Sequence, residues 1–439
     1  MKKINQFFAN IIYIFLLLIC TNIEAQDNQG NWVSYSQKIS TKGYEGHRFR
    51  LQGLVKSETA DDSASAGLWA RVDKEQGYGF FDNMGDRPVR SNEWKKYAVE
   101  GKIDTGGYQI AFGALCLYNG KFYFDDIRLD IETEKGKWKN VFTEDFENGE
   151  NDLEQGIQGW NSGFNTNYKS DVVNGQGAQG NKFFVIEGSN VPNYGVNNKA
   201  GKFADVNGIK LYYEIYGQGA PLVVLHGNGG SIQSASAFYP DLMKNYKVIA
   251  IDSRAQGRST DTDKPLTYDQ MASDVNGLLD QLKIDSVFIW GQSDGAILGL
   301  LLAMDYPKKV KRVLAFGANI QPDSLALFPW AIASSEKIVK GNGSPNEKKL
   351  NQLMLDYPDI PYTKLSHIKA PVLIMSGDRD VIRPEHTLKL FQNIPNSQLC
   401  IIPGATHGAA WEKKDLFLII MNDFFNKPFK IPDTADWFK

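Results

Sequence analysis

A nine-residue stretch, Val287–Gly295, constrains the fold of this 439-residue chain more than any other part of it. Its first four residues are apolar and read as a buried strand, and Ala296–Met304 reads as a helix. Between the two lies a Gly-x-Ser-x-Gly pattern, whose serine is Ser293. Side chains larger than hydrogen at Gly291 and Gly295 would clash in so tight a turn, and the helix start favours a developing negative charge there. The pattern is short, so the rest of the chain has to supply its context.

The amino terminus resembles an export signal. Lys2 and Lys3 precede an apolar core, Ile11–Cys20, and a small residue, Ala25, stands at a suitable cleavage site. The core is too short to span a bilayer, so residues 1–25 are predicted to be a cleaved signal peptide of a secreted or periplasmic protein. An uncleaved anchor or a lipoprotein acylated at Cys20 are the alternatives, and the bulky residue before Cys20 disfavours the lipoprotein.

The composition limits which kinds of protein this chain can be. The length predicts two or three domains, and 42% hydrophobic residues suffice for their cores. A net charge of −3 gives no reason to expect nucleic-acid binding. Cys116 and Cys400 are the cysteines left after signal cleavage, and their separation predicts that they form no disulfide.

Residues 26–135 are predicted to form an antiparallel β-sandwich, because short β-rich runs alternate with Gly, Asn and Asp clusters. The predicted strands are Arg48–Val55, Ala66–Val72, Trp94–Glu100, Tyr108–Ala114 and Lys121–Asp130. The motifs R-L-x-G-x-V-K, F-D-N-M, E-W-K-K-Y, F-G-A-L and F-Y-F-D-D-I-x-L resemble jelly-roll modules of the carbohydrate-binding type. That resemblance implies a carbohydrate partner.

Several side chains of this module have two interpretations. Aromatic residues would either pack in the core or offer a platform to sugar rings: Trp69, Tyr78, Phe81, Trp94 and Tyr123. Asp125 and Asp126 are either solvated acids or ligands of a structural calcium. Residues 136–201, rich in Gly and Asn, are either a linker or a partial β-unit.

Residues 202–427 alternate strands with helices, which predicts a mostly parallel sheet covered on both faces. The continuous apolar runs Leu222–Leu225 and Val248–Ile251 are typical of strands buried on both faces. Thr267–Leu282 is a predicted helix with a capping box at its start. A helical insertion at about 321–365 is predicted to be a short lid, and residues 428–439 a tail.

A reactive serine needs a base, and the chain has five histidines: His47, His226, His367, His386 and His407. His47 lies in the β-module, and polar surroundings predict a surface position for His367 and His386. His226 and His407 both follow buried strands, at the sheet edge where Ser293 should emerge. The glycines of the 404–408 loop favour His407 as general base and then general acid. His226 is expected to orient its own loop by hydrogen bonding.

The acid that orients His407 should follow the preceding strand. Two carboxylates qualify there, Asp378 and Asp380, and we favour Asp380 because it lies further into the loop. The oxyanion of a tetrahedral intermediate needs two N–H donors, for which we select the backbone amides of Asp294 and Asn228. Gly229 is the second choice on that loop and a predicted substrate-binding residue. This chemistry requires no metal or organic cofactor.

Five motifs in order carry a family resemblance. They are His226–Gly229, Asp252–Ser259, Gly291–Gly295, Gly377–Pro384 and Gly404–His407. Together they resemble the signature set of the α/β-hydrolase superfamily, with Ala255 where such loops usually have glycine. The order of the predicted triad, Ser293, Asp380 and His407, fits that fold.

Asp294, directly after the serine, is unusual because it puts negative charge beside a site for an oxyanion. It would either turn away to pair with a cation or cap the helix, or bind a cationic substrate group. With Phe316–Asn319, the S-D-G variant resembles biphenyl-hydrolase-like enzymes that cleave α-amino-acid esters. The expected activity is carboxylic ester hydrolysis; the alternatives are an amidase or peptidase, an α-amino-acid ester hydrolase, a carbon–carbon bond hydrolase, or a carbohydrate-binding protein without catalysis.

Overall fold

The structure, a computed structural model, describes residues 31–59, 63–147, 151–152, 156–157, 160–162, 165–178 and 180–438. The predicted signal peptide, with Cys20 and Ala25, lies outside the described residues. The chain divides into two compact units, residues 1–193 and 194–439. Among the described residues, no helix is long and apolar enough to cross a membrane.

The described part of the first unit consists of strands and turns. The strands are β1 (Trp32–Ser40), β2 (Arg48–Glu58), β3 (Ser65–Lys74), β4 (Tyr78–Asp82), β5 (Lys95–Lys102), β6 (Gly107–Leu117), β7 (Gly120–Glu134), β8 (Lys137–Glu144), β9 (Asn151–Asp152), β10 (Gly156–Ile157), β11 (Asn161–Ser162), β12 (Tyr168–Asn174) and β13 (Lys182–Gly188). One sheet has the order β11-β1-β6-β3-β4 and another the order β12-β13-β7-β2-β5, with β8 also on β7 and β9 paired with β10. All these pairings are antiparallel.

Aromatic rings from the two larger sheets fill the space between them. Tyr35 of β1 packs edge-on against Phe184 of β13, with ring centroids 5.1 Å apart. Phe112 of β6 meets Phe142 of β8 at the same distance. The antiparallel β-module is therefore observed, whereas its jelly-roll connectivity stays a prediction.

The stretch from 136 to 201, which the sequence left open between linker and partial β-unit, contributes strands to these sheets. β8 and β13 both pair with β7. Asp125, a candidate calcium ligand, accepts hydrogen bonds from the amides of Asp126 and Ala178. Asp126 forms an ion pair with Arg128 at 2.6 Å. Cys116 and Cys400 are both free thiols.

The second unit is built on one eight-stranded sheet. Its strands are β14 (Gly201–Val206), β15 (Ile209–Tyr216), β16 (Ala220–Leu225), β17 (Tyr246–Ile251), β18 (Val287–Gln292), β19 (Val310–Phe316), β20 (Val372–Arg379) and β21 (Ser397–Thr406). The order is β14-β15-β17-β16-β18-β19-β20-β21. The first two pairings are antiparallel and the other five are parallel. This is the mostly parallel sheet that the apolar runs predicted.

Helices cover both faces of this sheet. They are α1 (Tyr239–Leu242), α2 (Tyr268–Gln281), α3 (Asp294–Asp305), α4 (Pro329–Lys340), α5 (Pro345–Asp356), α6 (Pro384–Asn393), α7 (Ala409–Glu412) and α8 (Lys414–Asn426). Alternate strand residues point to opposite faces, so Val223 and Ile249 join one apolar cluster while Leu222 and Val248 join the other. α4 and α5 form the predicted helical insertion between β19 and β20.

A buried carboxylate ties the start of the second unit to its sheet. Glu214 of β15 is fully buried and accepts hydrogen bonds from the amides of Gly195 and Asn197, at 2.6 and 2.9 Å. The hydroxyls of Tyr212 and Tyr216 each donate to it at 2.7 Å. Because these four donors are neutral and well placed, the carboxylate is fully hydrogen-bonded without a cation. The second unit thus begins before the predicted boundary at residue 202.

Candidate active site

The backbone at Ser293 has the strained geometry of a sharp strand-to-helix turn. Ser293 lies between β18 and α3 with φ 54° and ψ −117°, outside the regions that residues with a β-carbon usually adopt. A β-carbon on Gly291 would lie 2.1 Å from the carbonyl oxygen of Gly295, and one on Gly295 would lie 2.2 Å from that of Leu225. Both glycines are therefore obligatory, as the pattern predicted, and Ser293 itself is only half-buried.

His407 lies in the loop after β21 and is held by Asp380, which follows β20. The two side chains meet at 2.6 Å between Nδ1 and Oδ1. Asp380 is buried, and its Oδ1 also accepts a hydrogen bond from the amide of Ile382 at 3.0 Å. The structure thus brings together the predicted base and the favoured acid.

The environment of His407 favours the protonated imidazolium. Burial alone would lower the pKa of His407, but the charge and hydrogen bond of Asp380, joined by the charge of Asp294, raise it above its usual value of 6.5. Beside the carboxylate of Asp380, His407 binds a proton more tightly than a free imidazole does. This property suits a group that takes a proton from a hydroxyl.

Asp378, the other candidate acid, has a different role in the structure. It accepts a hydrogen bond from the amide of Ala405 at 3.2 Å, on the loop that carries His407. Backbone hydrogen bonds from Gly404 and Ala405 lower the pKa of Asp378. Asp378 therefore fixes the loop, while Asp380 contacts the imidazole.

Gly317 makes room for the imidazole, a role that the sequence reasoning missed. A β-carbon at this position would stand 2.5 Å from Cε1 and 2.8 Å from Nδ1 of His407. Its φ of 64° also favours glycine. The signal was present in the Phe316–Asn319 motif, which follows β19 directly.

The loop after β16 lies against Ser293. A β-carbon on Gly227 would lie 3.0 Å from that of Ser293. His226 is buried and makes the two hydrogen bonds expected of a residue that orients this loop: Nδ1 bonds the carbonyl of Gly227 at 2.7 Å, and Nε2 accepts from the amide of Ser253 at 3.0 Å. Burial lowers the pKa of His226 to about 4, so the ring is neutral at physiological pH.

The two loop residues considered as donors differ in their hydrogen bonds. The amide of Gly229 donates to Oε1 of Gln256 at 2.6 Å. This bond engages the N–H of Gly229, so we do not retain Gly229 as a substrate-binding residue. The backbone amide of Asn228 has no protein partner within the described part of the chain, so it remains the candidate donor from this loop.

Asp294 is buried, and its side chain is hydrogen-bonded to neutral groups. Nδ2 of Asn228 donates to its Oδ2 at 3.0 Å, and the hydroxyl of Tyr268 provides a second hydrogen bond. Burial raises the pKa of Asp294 to about 6, although these two hydrogen bonds and the charge of His407 oppose the rise. Among the described residues no lysine or arginine pairs with it, so the expected cationic partner is not found.

The insertion contacts this site through α5. Nδ2 of Asn228 also donates to the carbonyl of Leu350 at 3.2 Å. Asn346 donates to the carbonyl of Ala255 at 2.9 Å, and Lys349 to that of Thr262 at 2.6 Å. The helix therefore packs over the loops after β16 and β17.

His386 corrects a prediction, because it is buried rather than exposed. Its Nε2 accepts from the amide of Ile320 at 3.1 Å, and its Nδ1 lies 2.9 Å from the hydroxyl of Tyr362. Ile320 directly precedes the predicted insertion and Tyr362 lies near its end, so His386 joins both ends. His367 is exposed, as predicted.

Comparison with known proteins agrees with this topology. A sequence model of the alpha/beta hydrolase fold matches residues 220–335. The second unit has the alpha/beta hydrolase fold. The chain is similar to a 2-hydroxy-6-oxo-6-phenylhexa-2,4-dienoate hydrolase of Burkholderia cepacia, with 25% identity over 51% of this chain and 95% of that protein.

Two further similarities cover about the same half of the chain. Serine hydrolase BPHL of Mus musculus is 25% identical over 55% of this chain and 91% of that protein. An enol-lactonase from Burkholderia xenovorans aligns in structure with a TM-score of 0.47 and 22% identity, over 52% of this chain and 100% of that one.

Proposed function

We propose that this protein is a serine hydrolase that cleaves a carboxylic ester through an acyl-enzyme on Ser293. The observation that carries the proposal is the 2.6 Å contact between His407 and Asp380, on loops next to the strained turn at Ser293. A base, its orienting acid and a presented hydroxyl are the parts that nucleophilic acyl transfer needs.

The proposed reaction has two halves. His407 takes the proton of the Ser293 hydroxyl as its oxygen attacks the ester carbonyl, and Asp380 stabilises the imidazolium that results. The backbone amides of Asn228 and Asp294 donate to the oxyanion, and α3 directs its N-terminus at the same place. The imidazolium then protonates the leaving alcohol. Water, deprotonated by His407, releases the acyl group and restores the serine.

Hydrolysis of short p-nitrophenyl esters tests this proposal. We expect the wild-type protein to be active and Ser293→Ala to lose at least about 10³-fold in kcat. Ser366→Ala, on an exposed serine whose hydroxyl, among the described residues, bonds only the carbonyl of Thr363, is the matched control and should retain activity. Absence of hydrolysis in the wild type, together with binding to a polysaccharide, would instead support a non-catalytic carbohydrate-binding protein.

A carbon–carbon bond hydrolase is the second candidate, favoured by the relatives named as 2-hydroxy-6-oxo-dienoate hydrolases. The same serine, base and acid would serve that reaction. The assay is disappearance of 2-hydroxy-6-oxo-6-phenylhexa-2,4-dienoate. If kcat/KM for this compound exceeds that for every ester tested, the ester assignment is wrong and this one replaces it.

An ammonium-bearing substrate is supported by one observation: Asp294 is a buried carboxyl with only neutral donors. A substrate cation would supply the missing positive charge. Asp294→Asn should then lower kcat/KM for aminoacyl esters at least about tenfold more than for plain acyl esters of the same alcohol. Equal losses on the two series would eliminate this role.

The N-terminal unit is proposed to bind carbohydrate through partly exposed rings. Trp94, Tyr123 and Phe183 form a cluster with centroids 5.8–6.2 Å apart, whereas Trp69 lies in the core. Trp94→Ala should abolish retention on an insoluble polysaccharide that retains the wild type. Trp138→Ala, on a ring that stacks with Arg50, is the control and should not change retention.

Export is likewise a proposal, because it rests on residues 1–25. The mass of the protein recovered from outside the cytoplasm tests it. Cleavage after Ala25 should leave a chain that starts at Gln26. Recovery of the full-length chain inside the cell would rule the proposal out.

A further inference from the structure

Gln292, which directly precedes Ser293, connects the nucleophile turn to the loop of the base. Its Nε2 lies 2.9 Å from the backbone carbonyl oxygen of His407. Gln292 is 8% exposed, so this hydrogen bond is shielded from water. It spans 115 positions of sequence and joins β18 to the end of β21.

The chemistry of the contact fixes the orientation of the amide. A backbone carbonyl can only accept a hydrogen bond, so the NH₂ group of Gln292 must face His407 and its Oε1 must face away. That oxygen is buried, and so is the indole N–H of Trp290 nearby; neither has a partner among the described protein groups. Both residues line a cavity of about 20 Å³ together with Gly227 and Trp411.

Among the described residues, three side chains from outside the loop that carries His407 hydrogen-bond its backbone, and they differ in what they connect it to. Asp378 bonds the amide of Ala405, and Glu412 bonds that of Thr406 at 2.8 Å. Neither is adjacent to the nucleophile. Of these three residues, Gln292 lies in the same tight turn as Ser293. Its hydrogen bond therefore fixes the position of His407 relative to Ser293.

We propose that Gln292 is a positioning residue, which holds His407 in register with Ser293 through the carbonyl of His407. The expected effect on kcat rests on the proposed hydrolase function. The expected effect on the position of His407 can be measured without it, by NMR titration. Small displacements of catalytic groups cost about 10²-fold in rate, so the contact bears directly on kcat.

The test compares two variants of similar side-chain volume that lose the donor. Gln292→Met removes the N–H group from an unbranched side chain, and Gln292→Leu removes it from a branched one. The matched control is Gln281→Met, because Nε2 of Gln281 donates to the carbonyl of Asp205 at 2.6 Å in the same kind of bond, on α2. Esters that the wild type cleaves are the substrates.

We expect kcat of Gln292→Met to fall about 10- to 100-fold, with KM within about twofold of the wild-type value. The control should keep both constants. The second measurement is the titration of the His407 imidazole by NMR, assigned by loss of its signal in His407→Gln. Asp380 raises the pKa of His407, and a loosened loop weakens the contact between the two side chains. The His407 imidazole should therefore titrate at a lower pH in Gln292→Met than in the wild type.

A Gln292→Met variant with wild-type kcat and wild-type titration of His407 would overturn the proposal. A drop in melting temperature without either change would assign Gln292 a purely structural role, which also overturns it. If Gln292→Met does not fold, Gln292→Leu gives the same two measurements. Should the wild type cleave no ester, the hydrolase proposal fails, while the NMR titration still decides the role of Gln292.

Discussion

Gly317 lies so close to His407 that the two residues cannot both keep their positions if residue 317 gains a β-carbon. The added atom would stand 2.5 Å from Cε1 of the imidazole. The residue after β19 therefore limits the space in which the base can move, although it takes no part in proton transfer.

Gly317→Ala should lower kcat about 100-fold, because the imidazole must leave its position beside Asp380. Ester hydrolysis measures the loss of activity, and circular dichroism checks that the variant is folded. Gly208→Ala is the matched control: its φ of 80° gives the same backbone strain, but nothing lies within 4 Å of the added carbon. Equal activity losses in both variants would show that strain, not the clash with His407, is the cause.

Asp380→Asn should lower kcat about 10³- to 10⁴-fold and move the acid limb of the pH profile to lower pH. The charge of Asp380 raises the pKa of His407, so its removal makes the imidazole easier to deprotonate but leaves it poorly oriented. Asp378→Asn should cost far less, because Asp378 contacts only backbone amides. A larger loss in Asp378→Asn would reverse the assignment of the acid.

Asp294→Asn should stabilise the fold above pH 6. Burial raises the pKa of Asp294 from 3.8 to about 6, so the folded state binds its proton more tightly than the unfolded state does. Ionisation between about pH 4 and 6 therefore lowers stability, and the cost is complete above pH 6. Urea unfolding should show a gain of about 2–3 kcal/mol at pH 7.5, most of which disappears at pH 4. A loss of stability at pH 7.5 would contradict this expectation.

His386 should make the protein sensitive to acid. Burial lowers the pKa of His386 from 6.5 to about 4, so the unfolded state takes up a proton first and stability falls as the pH drops below 6.5. Between pH 7 and 5 this one residue should account for about 2 kcal/mol of lost unfolding free energy. In His386→Gln the difference in unfolding free energy between pH 7 and pH 5 should be smaller by that amount. His367→Gln, on an exposed ring near the same end of the insertion, is the control.

The strands beside Ser293 could be predicted because their signals are local. Val287–Trp290 is a continuous apolar run and forms most of β18. Gly291 is required by its contact with Gly295, and Gly295 by its contact with Leu225 on the neighbouring strand. Thr267 likewise caps α2 as predicted, by accepting from the amide of Gln270. The side chain of Gln270 does not complete the capping box; its Nε2 donates to the buried carboxylate of Asp274 at 3.3 Å.

What the sequence could not reveal depends on partners far away along the chain. His386 looks polar and solvated in its own segment, but the amide of Ile320 and the hydroxyl of Tyr362 bury it. Gln292 shows no local sign that the carbonyl of His407 will need a donor. β12 is short and rich in polar residues, and pairing with β13, which itself pairs with β7, makes it a strand.

The buried carboxylate of Glu214 determines where the second unit can be separated from the first in a gene fusion or a domain exchange. A chain that starts at β14 would lack the amides of Gly195 and Asn197, leaving two hydrogen bonds of an ionisable, fully buried group unmade. The transferable piece therefore includes the seven residues from Tyr194 to Ala200, although they form neither helix nor strand. In evolutionary terms, a recombination breakpoint is better tolerated ahead of Tyr194 than at the first strand of the sheet.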